Sequence, residues 1–412
     1  MKRRDFLTAG AILSLLISAP VQAAKKAIAK KAPSKTRAKT SKATTKASAH
    51  DKKTAKSERA ESLADDGPAE TPSESRDTLN LPDEPAAQWR TYDLRSNIAL
   101  TGVKGKARLW LPLVQYKDTS WARSLGHSWQ GNFTNAGIYR DPVAEMEVFY
   151  ADWAEGTANP QLQIVSQVAT QDRTFDVTRR NGLMERPEVL RRCLHSSDLV
   201  PTDGIVRRTA ERAIGRVKDP LAQAKALYDW VVDNANYDPQ SKRVGGLNVG
   251  NMIEDGSLSG QSGDISLLFV ALCRSVGIPA RPVYGLRLDR SRLFGSLGAS
   301  GNLNEAQHCR AEFYTPGYGW IGVDPADVRK AVRDEHLSTG DSKLAVLKKL
   351  LFGFWEMNWI GFNAAQDVNL RGSTGKPRPF LIYPEVETAD GRFDSQDTNR
   401  MSYSVTATRV EG

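Results

Sequence analysis

The chain has 412 residues, of which 40% are hydrophobic and 25% are charged, and it carries a formal net charge of +9. This composition is typical of a globular protein with two or three domains. No apolar run reaches about 18 residues, so we expect no transmembrane helix. The positive charge belongs to the N-terminus: residues 1–23 carry +2 and residues 24–60 carry +11, which leaves −4 for the remainder. We therefore predict no nucleic-acid binding.

Residues 1–23 have the pattern of a signal peptide. A basic start that includes Arg3 and Arg4 precedes a short apolar stretch, and small residues up to Ala23 form a cleavage-site pattern. The arginine pair before Asp-Phe-Leu is typical of twin-arginine export, with an ordinary secretory signal as the alternative. The mature protein is therefore expected in the periplasm or otherwise outside the cytoplasm.

Residues 24–85 contain almost no large apolar side chains and are rich in Lys, Ala, Ser and Thr. Such a segment cannot bury enough surface to offset its ordering entropy, so we predict a disordered linker. Its basic first part would contact anionic envelope surfaces, or the whole segment would serve only as a spacer.

The remaining chain divides into three regions. Residues 86–190 show short alternating runs between turn residues, which predicts a β-rich, sandwich-like domain. Helical periodicity begins at about residue 195 and gives way to strand-like runs up to residue 385. Residues 386–412 form a C-terminal tail with a final strand. The tryptophans of the first region are either packing residues or a sugar- or peptide-binding surface.

Three segments carry residue types that serve acyl-transfer chemistry. Ser262 follows a Gly/Ser-rich stretch and precedes an apolar helix, where backbone N–H groups and the helix dipole favour negative charge. His308 lies on a strand-like run, and Asp324 ends a second run. Two adjacent antiparallel strands would bring these two together, so that the carboxylate orients the imidazole. The candidate catalytic residues are therefore Ser262, His308 and Asp324.

Each of these residues also has an ordinary structural explanation. Ser262 is a good helix N-cap, His308 is a typical buried histidine, and Asp324 before a proline is common in turns. Only their combination and order favour an active site.

The order of the motifs resembles that of the transglutaminase-like superfamily. The matching motifs are Gly277-Ile278-Pro279-Ala280-Arg281 after the helix, His308 with Ala311-Glu312, and Gly319-Trp320 with Val323-Asp324-Pro325. The resemblance covers about residues 200–385. It implies an α+β, papain-like fold for that region and a Cys-His-Asp site acting on peptide or protein amides. It also implies that Ser262 stands where the family carries its nucleophilic cysteine.

A serine at that position changes the chemistry. A thiol can be held as a thiolate beside an imidazolium, whereas a hydroxyl must lose its proton during the attack. Two interpretations follow. The cleft binds peptide or peptidoglycan-stem amide groups with lost or weak catalysis, or the protein is an active acyl-transfer enzyme or amidase that uses Ser262, His308 and Asp324.

The cysteines and histidines indicate no further site. Cys193, Cys273 and Cys309 show no metal-binding spacing and the five histidines are scattered, so we predict no metal and no cofactor. Cys273 would lie about 16 Å along the helix from Ser262. Cys309 would point away from the face of His308. The long Gly/Ser-rich loop at 289–304 is expected to border the cleft as a lid.

Overall fold

The computed structural model describes residues 88–410, apart from positions 116, 177, 181, 183 and 242. The predicted signal peptide at 1–23 and the predicted linker at 24–85 lie outside the described residues. In the described part of the chain, no helix combines the length and the apolar character needed to cross a membrane.

The first part of the described chain consists of seven strands. They are β1 (Arg90–Leu100), β2 (Ala107–Pro112), β3 (Ala122–Gly131), β4 (Asn135–Asp141), β5 (Met146–Trp153), β6 (Gln161–Thr170) and β7 (Arg173–Thr174).

Helices then alternate with short strands. In chain order these elements are α1 (Pro187–Arg192), α2 (Gly204–Ile214), α3 (Pro220–Asn234), β8 (Asn236–Tyr237), α4 (Val249–Glu254), β9 (Ser259–Gly260), α5 (Ser262–Ser275), β10 (Ala280–Arg287), β11 (Gln307–Thr315), β12 (Gly319–Val323), α6 (Pro325–Asp334), α7 (Ser342–Leu350), β13 (Phe354–Trp355) and β14 (Trp359–Asn363). The chain ends with β15 (Glu385–Thr388), β16 (Gly391–Asp394) and β17 (Met401–Val410).

The N-terminal strands form two sheets that share a core. One sheet has the order β17-β1-β6-β3 and the other β16-β15-β2-β5-β4. Alternation in β1 turns Ile98 and Leu100 inward, where they join Leu109 and Phe149 of the second sheet. The last strand is part of this core, because β17 pairs with β1 from Thr91↔Val410 to Leu100↔Met401. The C-terminal strands therefore complete the N-terminal sandwich.

A second core surrounds helix α5. All its residues are buried, and it packs against α2, α3 and α6 on one side and the sheet β12-β11-β10-β14 on the other. Its apolar residues occur on every side, as expected for a helix enclosed by other elements. This packing fixes the start of α5 next to the beginning of β11, which positions the candidate site.

The tryptophans of the β-rich region mostly serve packing. Trp121 stacks against Trp359 with ring centroids 5.9 Å apart and meets Trp355 edge-on at 5.3 Å. Trp110 and Trp153 are buried and donate their indole N–H groups to Arg371 O and Asn132 Oδ1. Trp129 is the exception, because it is 38% exposed.

Candidate active site

Ser262 is the first residue of helix α5 and its side chain is enclosed. The residue is only 1% exposed, and its Oγ accepts a hydrogen bond from the backbone N–H of Cys309 at 3.1 Å. The next backbone N–H, that of Gly263, donates to Val244 O at 2.5 Å. One of the free N–H groups at the helix start, which would serve an oxyanion, is therefore already paired within the protein.

Asp264 holds two preceding segments of the chain against the start of α5 through hydrogen bonds. Its Oδ2 accepts from the N–H of Gln261, and its Oδ1 accepts from the N–H groups of Gly246 and Leu247, each at 3.0 Å. Burial raises the pKa of this carboxyl to about 6, against the opposing effect of these hydrogen bonds. Asp264 was not among the residues predicted for the site, which were Ser262, His308 and Asp324. Its signal was an acidic residue in the first turn of an apolar helix.

His308 and Asp324 lie side by side. Strands β11 and β12 pair with Ala311 opposite Val323, which places the two residues at neighbouring strand ends. Nε2 of His308 is 2.8 Å from Oδ2 of Asp324. Asp324 is also the N-cap of α6, since its Oδ1 accepts from the N–H of Asp327 at 2.9 Å. The carboxylate is thus held in place by the helix that it caps.

The other ring nitrogen of His308 faces an arginine. Nη2 of Arg287 lies 3.0 Å from Nδ1 of His308. A guanidinium can only donate, so Nδ1 must accept and the imidazole proton must be on Nε2, directed at Asp324. Both nitrogens are then engaged. In the described part of the chain no hydrogen bond joins Ser262 to His308.

The imidazole belongs to a buried cluster of charges. Arg287 pairs with Asp327 at 2.5 Å, and Nε of Arg310 lies 3.1 Å from Oδ2 of Asp324. Two guanidinium groups balance two carboxylates, so the cluster is neutral when His308 is neutral. Burial, and next the charge of Arg287, lower the pKa of His308. The five residues of the cluster therefore form a charge-balanced internal network at neutral pH.

Arg287, Arg310 and Asp327 were not identified from the sequence. Arg310 could have been predicted, because it lies two positions from His308 on a strand and therefore on the same face as His308. Arg287 ends β10, the neighbour of β11, and Asp327 lies one turn into α6. Their convergence depends on how three elements pack.

The same carboxylates could be considered as metal ligands. One nitrogen of His308 and one oxygen each of Asp324 and Asp327 lie within 4.8 Å of one another. Arg287 and Arg310 are paired with these carboxylates, however, and two guanidinium charges in contact with the donor atoms oppose a cation. The residues present thus fit an ion-pair network better than a metal centre.

The three cysteines are free and buried. Burial raises the pKa of Cys193, and it raises those of Cys273 and Cys309 well above the ordinary value. Cys309, whose backbone N–H donates to Ser262 Oγ, has its Sγ directed to Arg310 O at 3.4 Å. These environments favour neutral thiols over thiolate nucleophiles.

The loop at 289–304 covers Arg287. The carbonyl of Leu297 accepts from Nη1 of Arg287 and from Nδ2 of Asn358. The loop is anchored by Glu356, which accepts from Ser291 Oγ and from the N–H of Arg292, each at 2.6 Å. The loop therefore lies over the charge cluster and is fixed there by hydrogen bonds.

Three comparisons relate the chain to known proteins. The sequence model of the transglutaminase-like superfamily matches residues 207–325. An uncharacterized protein of Haemophilus influenzae is 32% identical over 346 residues, which cover 78% of this chain and 90% of the relative.

Among solved structures, a candidate cysteine protease from Cytophaga hutchinsonii superposes with a TM-score of 0.51 at 14% identity, covering 79% of this chain and 92% of that one. The periplasmic domain of TgpA from Pseudomonas aeruginosa matches with a TM-score of 0.32 at 14% identity, over 65% of this chain and 94% of that domain.

The sequence model identifies the family, and the superposition on the Cytophaga hutchinsonii structure supports the fold. The α+β class, the papain-like core and the β-rich N-terminal region predicted from the sequence are confirmed. The matched segment begins in α2, contains Ser262 and His308, and ends just after Asp324. The chain therefore belongs to the transglutaminase-like superfamily.

Proposed function

We propose that this chain is an exported transglutaminase-like protein that binds peptides of the cell envelope and has lost, or nearly lost, amide chemistry. The observation that carries the proposal is the contact between Arg287 and Nδ1 of His308. With Nε2 committed to Asp324, Nδ1 is the nitrogen left to take a proton from a nucleophile. A permanently charged donor occupies it.

The state of Ser262 supports the same conclusion. A serine needs a general base within hydrogen-bond reach, and its Oγ instead accepts from the backbone of Cys309. Ser262, His308 and Asp324 are each 1–2% exposed, so a substrate carbonyl would have to displace part of the covering chain to reach them. The residues are retained as an internal network.

The alternative is an active acyl-transfer enzyme or amidase that uses Ser262, His308 and Asp324. One observation favours it: the pair between His308 Nε2 and Asp324 Oδ2 has the geometry that orients a catalytic imidazole. Activity would require Arg287 to leave Nδ1 and the segment at Val244 to open.

Covalent labelling tests the two interpretations. Native protein, Ser262→Cys and Ser266→Cys would be treated with an acylating amide analogue and with iodoacetamide, then examined by intact-mass spectrometry. Ser266→Cys is the matched control, because Ser266 is buried on the same helix one turn further on. We expect no acylation of the native protein. Acylation at Ser262 that Ser262→Ala abolishes would establish the enzyme.

Export is tested separately. Replacing Arg3 and Arg4 by lysine in the full chain should leave the protein in the cytoplasm if the signal is of the twin-arginine type. Fractionation with the native chain as reference measures this. Export of the lysine variant would point to the ordinary secretory route.

A further inference from the structure

A cavity lies at the other end of helix α5 from the candidate active site. It has a volume of about 360 Å³ and is bounded by α1, the C-terminal end of α5, the turn between β4 and β5, and residues 364–369. Ligand pockets commonly have roughly 300–1,000 Å³. Because α5 has 14 residues, Arg274 in this cavity and Ser262 are roughly 18 Å apart along the helix axis. The two sites are distinct.

Arg274 is a buried cation on the wall of this cavity. It is 6% exposed. Its Nε donates to Ala280 O at 2.8 Å and its Nη1 donates to His195 O at 2.7 Å. Among the described residues, no carboxylate lies within ion-pair distance of Arg274, and its hydrogen bonds to the protein use only Nε and Nη1. Burial lowers its pKa to about 10, so it remains charged at neutral pH.

Two further charges of the wall, Glu145 and Arg281, pair with each other, and Arg192 is a second, partly exposed cation there. Glu145 is paired with Lys117 at 2.7 Å, with Arg186 at 3.1 Å and with Arg281 at 3.4 Å. Asp367 also borders the cavity and is exposed, and its charge acts on Arg274 from beyond ion-pair distance. A buried charge without a partner gains most from an incoming counter-ion, because its own hydration is already lost. The wall therefore selects for an anion at Arg274.

The rest of the wall suits a short peptide. Val189, Ala364 and Ala365 provide small apolar surfaces, and Gln366 and Asn369 provide side-chain amides that can pair with a peptide backbone. We propose that this cavity binds the free carboxylate end of a peptide with small side chains, anchored by Arg274. This proposal specifies where the proposed peptide binding takes place. It rests on the proposed function only for the choice of a peptide as the partner.

Calorimetric titration of the whole mature protein tests this. The probes are N-acetyl-trialanine and its C-terminal amide, which differ only in the carboxylate. We expect the acid to bind and the amide to bind at least about tenfold more weakly, as for the loss of one charge-assisted contact. Equal affinities, or no binding of the acid, would overturn the proposal without any variant.

Variants then locate the site. Arg274→Gln should lower the affinity for the acid by about tenfold or more and leave the affinity for the amide unchanged. Because Arg274 also holds two carbonyls, Ala364→Phe provides a second variant that fills the cavity and keeps the guanidinium. Arg208→Gln, on an exposed position of α2, is the control and should bind as the native protein does. Retained affinity in both cavity variants would refute the assignment. Labelling at Ser262 has no bearing on these titrations, so the two proposals fail independently.

Discussion

Nη2 of Arg287 lies 3.0 Å from Nδ1 of His308, and this contact determines the protonation state of the imidazole. A protonated His308 would direct an N–H at another N–H. The neutral ring with its proton on Nε2 satisfies Arg287 and Asp324 together. Arg287 thus holds His308 in the tautomer that a resting catalytic base would have. At the same time its N–H group occupies Nδ1, the nitrogen that would accept a proton from a nucleophile.

The titration of His308 is the first prediction. We expect the pKa of His308 to lie below the ordinary value, with Nε2 protonated and Nδ1 unprotonated at neutral pH. Long-range ¹H–¹⁵N spectra of the imidazole measure both. Arg287→Met removes the charge that lowers the pKa of His308 and leaves Asp327, which raises it, so the pKa should rise. A native spectrum with a protonated Nδ1 would contradict this.

The pairing of Arg287 with Asp327 predicts a large stability effect. Arg287→Ala leaves Asp327 buried without its partner, which should lower the free energy of unfolding by about 3–5 kcal/mol. Chemical denaturation measures the change, with the exposed Arg208→Ala as control. Arg287→Ala, Asp327→Ala together should cost less than the sum of the single changes. Additive effects would mean that the pair does not act as a unit.

Glu385 on β15 predicts a pH dependence of stability. Burial raises its pKa to about 7, even though Arg378 pairs with it at 2.6 Å. The folded pKa exceeds the unfolded one, so the folded state binds the proton more tightly. Its contribution is therefore complete below about pH 4.5 and is lost as the pH rises towards 7.

Glu385→Gln should remove this dependence. Relative to the native protein, the variant should gain on the order of 2 kcal/mol at about pH 8 and little or nothing at about pH 4.5. Glu387, on the same strand, is the matched control, because hydrogen bonds to Ser373 and Thr374 lower its pKa. Glu387→Gln should lose stability at the higher pH. An equal effect of both substitutions would count against the assignment.

Thiol reactivity is the fourth prediction. Cys193, Cys273 and Cys309 are buried and free, with pKa values raised by burial. Iodoacetamide at neutral pH should modify none of them quickly in the folded protein and all three after denaturation. Mass spectrometry of timed samples measures this. Rapid single labelling of the native chain would identify a reactive thiol that these environments do not favour.

The sequence indicated the β-rich region and the apolar helix after Ser262, because their signals are local. The start of α3 shows such a local signal, since Asp219 precedes Pro220 and its Oδ2 accepts from the N–H of Ala222 at 2.8 Å. Strand β3 has a much weaker signal. It is an edge strand with a bulge at Gly126 and mostly exposed residues on both faces, so it lacks the period of two that marks a half-buried strand.

The site was predictable only in part for a related reason. Motif order identified Ser262, His308 and Asp324, and β11 and β12 bring the last two together. The contact of Arg287 with His308 depends on the register of β10 against β11, where Gly285 lies opposite His308. Arg287 and His308 are 21 residues apart, and the sequence of either strand alone does not show in which register the two strands pair.

The pairing of β17 with β1 has a consequence for how the protein is made. Strand β1 lies between β6 and β17 in its sheet, and β17 is the last of these three strands to be synthesised. One edge of β1 therefore stays unpaired on the ribosome until β17 has emerged, and the sandwich cannot close before then. A nascent chain is thereby kept from completing its fold early, and deletion of the ten residues of β17 would leave β1 paired along one edge only.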